Sequence, residues 1–163
     1  MILGIESTAH TFGIGIVDNL IKKSFPSLKG KKIYLWEFGN SKKYSAIAVE
    51  FLFFGLIIIF KKCRKYSDKA LKGLFAHELS HLEIIKNMPF SQKISYFSKW
   101  LVSKKRKADF ETRTDKLAIE KGYDGELIQL NKESLKGKTK EELNKRKKKG
   151  YLTIPQIKKY MGK

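Results

Sequence analysis

The sequence lacks the features that mark secreted and membrane proteins. Its 163 residues include one cysteine, Cys63, so no disulfide can form within the chain and we expect a cytoplasmic, reducing location. No charged, apolar and small-residue signal pattern opens the chain. The most apolar stretch, residues 46–60, contains Glu50 and Gly55 and is shorter than the roughly 18 to 20 apolar residues of a membrane-spanning helix. We therefore expect no membrane span and interpret this stretch as strands.

Acidic residues are also scarce. The chain has 16 Asp and Glu against 35 Lys and Arg, which gives a formal net charge of +19. Such a charge predicts solubility and salt-sensitive attraction to polyanions, but it identifies neither a fold nor a reaction. The basic runs lack the regularly spaced aromatic residues that stack on bases, as in Lys104-Lys105-Arg106-Lys107 and Lys145-Arg146-Lys147-Lys148-Lys149. We therefore expect any nucleic-acid binding to be non-specific, and we interpret the runs as a solvated surface.

The hydrophobic periodicity predicts a small α+β domain. Helical spacing begins at Ile14 and is broken at Pro26, and a sheet of about three strands is expected at residues 33–38, 44–54 and 56–60. Further helices are expected at about residues 68–87, 90–102, 105–121, 125–135 and 140–148. We assign residues 14–123 to the folded domain and residues 124–163 to a basic C-terminal extension. Its apolar residues should pack either across a cleft or behind the sheet.

Two histidines one helical turn apart carry the clearest chemistry. His77 and His81 lie on the same face of their helix, so both imidazoles can reach one metal ion, and Glu78 beside them is a candidate general base. A catalytic zinc usually takes three protein ligands and leaves a fourth position to water. Glu111, on a later helix, is the best third ligand. Asp115, one turn after Glu111, can accept a hydrogen bond from a ligand histidine, and we expect that histidine to be His77.

Each of these residues also has a purely structural interpretation. An HExxH string occurs by chance in many proteins, its histidines can lie on a helix surface, and Glu111 with Asp115 can be an ordinary solvated acidic pair. The presence of both elements on two amphipathic helices favours the metal site.

Together the two elements resemble the gluzincin clan of metallopeptidases. Residues 77–81 match its HExxH motif, and Glu111 with Asp115 matches its ExxxD element. The short chain is most similar to the archaeal minigluzincins, over about residues 14–122. Glu83 departs from the pattern, because zincin helices commonly carry an apolar residue after the second histidine.

The resemblance implies a minimal zincin-like domain, with the sheet packed on the HExxH helix and on the ligand-bearing helix. It implies a zinc metalloendopeptidase in which zinc activates a water and Glu78 acts as general base. A peptide or protein substrate would add to a sheet edge, here expected at residues 44–54. Tyr123 is a candidate oxyanion stabiliser.

The first 17 residues separately resemble the start of the universal tRNA threonylcarbamoyladenosine transferase family, where such a segment helps to hold nucleotide phosphate. The remainder of the chain has no counterpart to the later parts of that two-lobed fold, so we expect residues 1–13 to have no such activity here. Two alternatives to a peptidase remain open at this point: a basic nucleic-acid-binding protein with a structural zinc, and a fragment of the tRNA-modification enzyme. The sequence does not predict the oligomeric state.

Overall fold

The computed structural model describes residues 2–4, 12–41, 44–51, 53–89, 91–93 and 103–162. These residues form a small α+β domain, as predicted. Its strands are β1 (Ile2–Gly4), β2 (Lys32–Phe38), β3 (Ala46–Glu50) and β4 (Phe54–Phe60). Its helices are α1 (Ile14–Ser24), α2 (Asp68–Lys86), α3 (Lys104–Glu120), α4 (Asp124–Ser134), α5 (Lys140–Lys148) and α6 (Ile154–Met161). Short 3-10 turns follow α1 at Pro26–Leu28 and β4 at Lys61–Lys65.

The sheet has the strand order β1-β2-β4-β3. Strands β1, β2 and β4 are parallel to one another. Strand β3 pairs antiparallel with β4, with Ala48 opposite Ile57. The three predicted strands are confirmed, although the middle one is shorter than residues 44–54. Ile2–Gly4 adds a fourth strand, so part of the segment that we separated as residues 1–13 belongs to the sheet.

One face of the sheet packs against α2. Ile33 of β2 and Ile57 of β4 are fully buried on that face, because alternate residues of a strand point to the same side. Of the two residues at which the sequence allows a cap, Ser67 and Asp68, it is Ser67 that caps α2 by accepting a hydrogen bond from the Ala70 amide at 3.2 Å. Nearly every residue of α2 after this first turn is buried. The helix that carries HExxH is thus the central element of the domain.

The C-terminal residues share this core. Leu127 and Leu130 of α4, with Leu152 and Ile157 beyond it, are buried in the same cluster as the α2 side chains. A Cβ added at Gly73 would lie 2.4 Å from the carbonyl oxygen of Glu126, so α2 and α4 meet at backbone contact. Helix α4 and residues Leu152 and Ile157 therefore pack into the core of the predicted domain.

The predicted helix at residues 90–102 lies almost entirely outside the described residues. Only residues 91–93 of it are described, and they are helical. Within the parts of the chain that the structure describes, no helix has the length and apolar character needed to cross a membrane.

Candidate metal centre

Helices α2 and α3 bring the three predicted ligands together. The Nε2 atoms of His77 and His81 are 3.0 Å apart, and Oε2 of Glu111 lies 3.2 Å from the first and 3.4 Å from the second. Both histidines are buried, whereas Glu111 is partly exposed. These three residues form a group that could hold a metal ion.

His77 is oriented by Asp115, as predicted. Its Nδ1 lies 2.8 Å from Oδ1 of Asp115, and a carboxylate oxygen can only accept, so Nδ1–H donates. The other oxygen, Oδ2, accepts a hydrogen bond from the Leu152 amide at 2.7 Å. Both carboxylate oxygens are therefore engaged, and Nε2 of His77 remains directed at Glu111.

His81 is oriented by Thr114, which the sequence analysis missed. The Thr114 hydroxyl donates to the carbonyl oxygen of Phe110 at 2.9 Å and lies 3.1 Å from Nδ1 of His81. A hydroxyl has one hydrogen, so Nδ1–H of His81 is the donor in the second bond. This fixes the tautomer that leaves Nε2 of His81 with a free lone pair. The only sequence signal for this role of Thr114 is its position four residues after Phe110 in a predicted helix.

The charges of the group favour an ionised carboxylate beside the histidines. Burial opposes ionisation of Glu111, yet hydrogen bonding to His77 and His81 outweighs it and holds the pKa of Glu111 well below its usual range. Burial also opposes a proton on His77, but Asp115 and Glu111 raise the pKa of that imidazole well above its usual value. A cation is therefore favoured at this position, whether it is a proton or a metal ion.

Glu78 lines the cleft beside the ligand group. The cleft has a volume of about 260 Å³, and both His77 and Glu78 line it. Glu78 is buried, and burial raises the pKa of its carboxyl, while the neighbouring histidines and a hydrogen bond from the Ala48 backbone oppose part of that rise. Glu78 is thus a titratable group at the edge strand β3, close to the three candidate ligands.

Tyr123 lies away from this cleft. Its hydroxyl hydrogen-bonds to Ser24 at 2.7 Å, its ring stacks on Phe25, and it lines a separate pocket beside α1. Two tyrosines, Tyr44 and Tyr151, line the cleft, and the ring centroid of Tyr151 is 5.7 Å from that of His77. The structure therefore brings together every predicted site residue except Tyr123.

The C-terminal residues reach Tyr151 by a close crossing over α3. A Cβ at Gly150 would lie 1.9 Å from the carbonyl oxygen of Ala108, and the Gly150 φ of 92° also favours glycine. The Thr112 hydroxyl donates to the Gly150 carbonyl at 2.7 Å. The structure matches neither of the two predicted arrangements as a whole, because Tyr151 lines the cleft while Leu152 and Ile157 are buried in the core.

Glu83, the departure from the gluzincin pattern, has a structural explanation. It is buried, forms an ion pair with Lys121 at 2.8 Å and accepts a hydrogen bond from the Ser27 hydroxyl. These contacts tie α2 to α3 and to the turn after α1. The carboxylate therefore has partners of its own and does not join the ligand group.

Comparison of the chain with protein-family models, curated proteins and solved structures finds no match. What the site can do follows from its own residues.

Proposed function

We propose that the protein is a zinc-dependent metallopeptidase that hydrolyses peptide bonds, with His77, His81 and Glu111 as ligands. The observation that carries this proposal is the buried Glu78 carboxylate, which lines the same cleft as His77 and is not itself one of the three ligands. A purely structural zinc site usually has four protein ligands, whereas a catalytic site has three and one open position.

The size and chemistry of the ligand group fit zinc. Bonds of about 2.0 to 2.2 Å in tetrahedral geometry hold neighbouring ligand atoms about 3.3 to 3.6 Å apart. The observed separations of 3.0, 3.2 and 3.4 Å are close to this range, and the two shorter ones need only a small opening of the group. Glu111 Oε2 is buried, has no hydrogen-bond partner among the described residues, and lies 3.2 and 3.4 Å from the two Nε2 atoms. Two imidazoles and one carboxylate are a donor set that zinc enzymes use.

The side chains of the site would have separate roles in hydrolysis. When bound, zinc would polarise the scissile carbonyl and lower the pKa of a water molecule. Glu78 would accept the proton of that attacking water and deliver it to the departing amine. Asp115 and Thr114 would hold the two imidazoles with Nε2 directed inward.

The edge strand β3 would hold the substrate. It is the last strand on its side of the described sheet, so one of its edges pairs with no other described strand. Ala48 in the middle of β3 also hydrogen-bonds through its backbone to Glu78. A peptide paired along this edge would therefore pass the general base, as expected for recognition by strand addition.

Chelation and reconstitution test this proposal. The full chain should cleave casein or a mixed peptide library, lose activity in a chelator and regain it with about one equivalent of zinc per chain. A zinc-loaded protein that cleaves no peptide of such a library would contradict the proposal. A tetrahedral site closed by a fourth protein ligand, seen by X-ray absorption, would instead favour the structural-zinc alternative.

A further inference from the structure

Basic side chains line the same cleft as Glu78. Five of them face it from the turn after β4 and from the region of α5: Lys62, Lys138, Lys145, Arg146 and Lys149. Two of the five have acidic partners on the same helical surface. Lys138 pairs with Glu142 at 2.6 Å, and Lys145 pairs with Glu141 at 2.7 Å. The other three have no ion pair within the described residues.

Of these three residues, Arg146 gives the strongest evidence for a bound ligand. Its Nε atom is buried and makes no hydrogen bond to any described residue. Its guanidinium carbon lies 4.4 Å from the centroid of the Tyr151 ring, and that ring packs against His77. Arg146 is thus a cation whose Nε–H has no acceptor among the described residues. Only the ring of Tyr151 lies between it and His77 of the ligand group. A buried donor without an acceptor is unfavourable and is ordinarily matched by a ligand or by water.

Lys62 lines the same cleft from a different element, the turn after β4. It is half-buried, and desolvation lowers the pKa of its ammonium group, with Lys138 and Arg146 adding repulsion. The cleft thus collects positive charge from two elements of the fold. An anion bound among these cations would relieve the repulsion.

We infer that this basic end of the cleft, formed by Lys62, Arg146 and Lys149, binds a carboxylate of the peptide substrate. The inference rests on the proposed peptidase function and names its substrate class as peptides that present a carboxylate to the cleft. The carboxylate is either an Asp or Glu side chain or the free C-terminus of the peptide. The same cleft is also lined by Leu74, Leu127 and Leu130, whose apolar side chains suit the aliphatic stem of such a side chain.

Fluorescence anisotropy with the zinc-loaded Glu78→Gln full chain tests the inference without turnover. The probes are a short fluorescein-labelled peptide with two internal Glu residues and an amidated end, its Gln counterpart, and the Gln peptide with a free C-terminal carboxylate. At about 0.15 M salt, where loose surface attraction is screened, we expect at least about tenfold tighter binding of one carboxylate-bearing probe over the amidated Gln peptide. Preference for the internal Glu probe identifies a side chain, and preference for the free-end probe identifies the C-terminus.

Matched variants test which residues cause the preference for a carboxylate. Arg146→Gln and, independently, Lys62→Gln should each remove most of the preference, whereas Lys147→Gln on the same helix should keep it, since Lys147 is exposed and does not line the cleft. Lys62 lies outside α5, so a loss of the preference in Lys62→Gln cannot be explained by a disturbed α5. Equal affinity for all three probes would overturn the inference. So would a preference that Lys147→Gln weakens as much as Arg146→Gln does.

A single-stranded oligonucleotide of matched charge serves as competitor. We expect it to displace the acidic peptide only at higher concentration. Displacement at lower concentration, with equal sensitivity to Lys147→Gln, would assign the basic surface to nucleic acid and overturn the inference. A carboxylate preference in a wild-type chain that cleaves no peptide would support the carboxylate site and contradict the proposed reaction, so the two failures are distinguishable.

Discussion

His77 and Asp115 form a buried hydrogen bond of 2.8 Å that connects the HExxH helix to the helix of the third ligand. Because Asp115 also accepts a hydrogen bond from the Leu152 amide, the same carboxylate orients a ligand ring and fixes the C-terminal residues at the cleft. The ligand group and the cleft wall are thus coupled through one side chain. Asp115→Asn would keep the volume but remove the charge from both contacts.

We predict that metal content depends on the histidines of α2 and not on the third histidine of the chain. His81→Ala should lower the zinc content from about one equivalent to well below it, because one of three donors is lost. His10→Ala, outside the described residues, is the matched control and should retain the metal. Elemental analysis of the purified variants measures this. Unchanged zinc in His81→Ala would contradict the ligand set.

We predict that Thr114→Val weakens zinc binding by about 10- to 100-fold, which is the usual cost of losing a group that orients a ligand. Valine keeps the shape of threonine, but it cannot accept from Nδ1–H of His81, so the productive tautomer is no longer favoured. Competition with a zinc-binding dye gives the dissociation constant. The control is Thr112→Val, whose hydroxyl contacts the Gly150 carbonyl and no ligand. Equal affinities for the two variants would remove Thr114 from the site.

The two tyrosines give opposite expectations. Tyr151→Phe should lower kcat by about 10²-fold with little change in KM if its hydroxyl stabilises the oxyanion, a typical loss for one such donor. Tyr123→Phe should leave kcat unchanged, because that hydroxyl is bound to Ser24 outside the cleft. Steady-state kinetics of both variants on one peptide measures the changes in kcat and KM. Higher activity in Tyr151→Phe would show instead that the C-terminal residues restrain the enzyme.

Cys63 predicts a loss of stability at alkaline pH. Its thiol is buried and donates to the Ser45 carbonyl at 2.9 Å, and burial raises its pKa to about 11. In the unfolded chain the thiol ionises near pH 8.5. Between these values only the unfolded state releases its proton, so stability is complete below about pH 8.5 and falls as pH rises toward 11, by about 3 kcal/mol in all.

Urea unfolding at several pH values measures this loss. Cys63→Ala removes the titrating group and should show a smaller decrease over the same range, which separates the thiol from the lysines. Identical pH profiles for the two proteins would contradict the assignment.

The sequence predicted the elements of the site because its signals are local. Helical periodicity and the Ser67 cap define α2, and the i, i+4 spacings of the two histidines and of Glu111 with Asp115 place four groups on facing helices. The remaining features depend on chain crossings with no local signal. The choice of Tyr151 over Tyr123 follows from the crossing of Gly150 over Ala108, and β1 follows from pairing across about thirty residues of sequence. Thr114 could not be told from Thr112 without knowing which side of α3 faces α2.

The most direct test of the peptidase account is a comparison of Glu78→Gln with the wild-type chain. Glutamine keeps the size of glutamate but cannot accept the proton of the attacking water. We predict that the variant binds about one equivalent of zinc, unfolds at a similar urea concentration and loses at least about 10²-fold in peptide hydrolysis. Zinc analysis and hydrolysis of a fluorogenic peptide on the same preparation measure both quantities. A zinc-loaded Glu78→Gln chain that hydrolyses the peptide as fast as wild type would contradict the account.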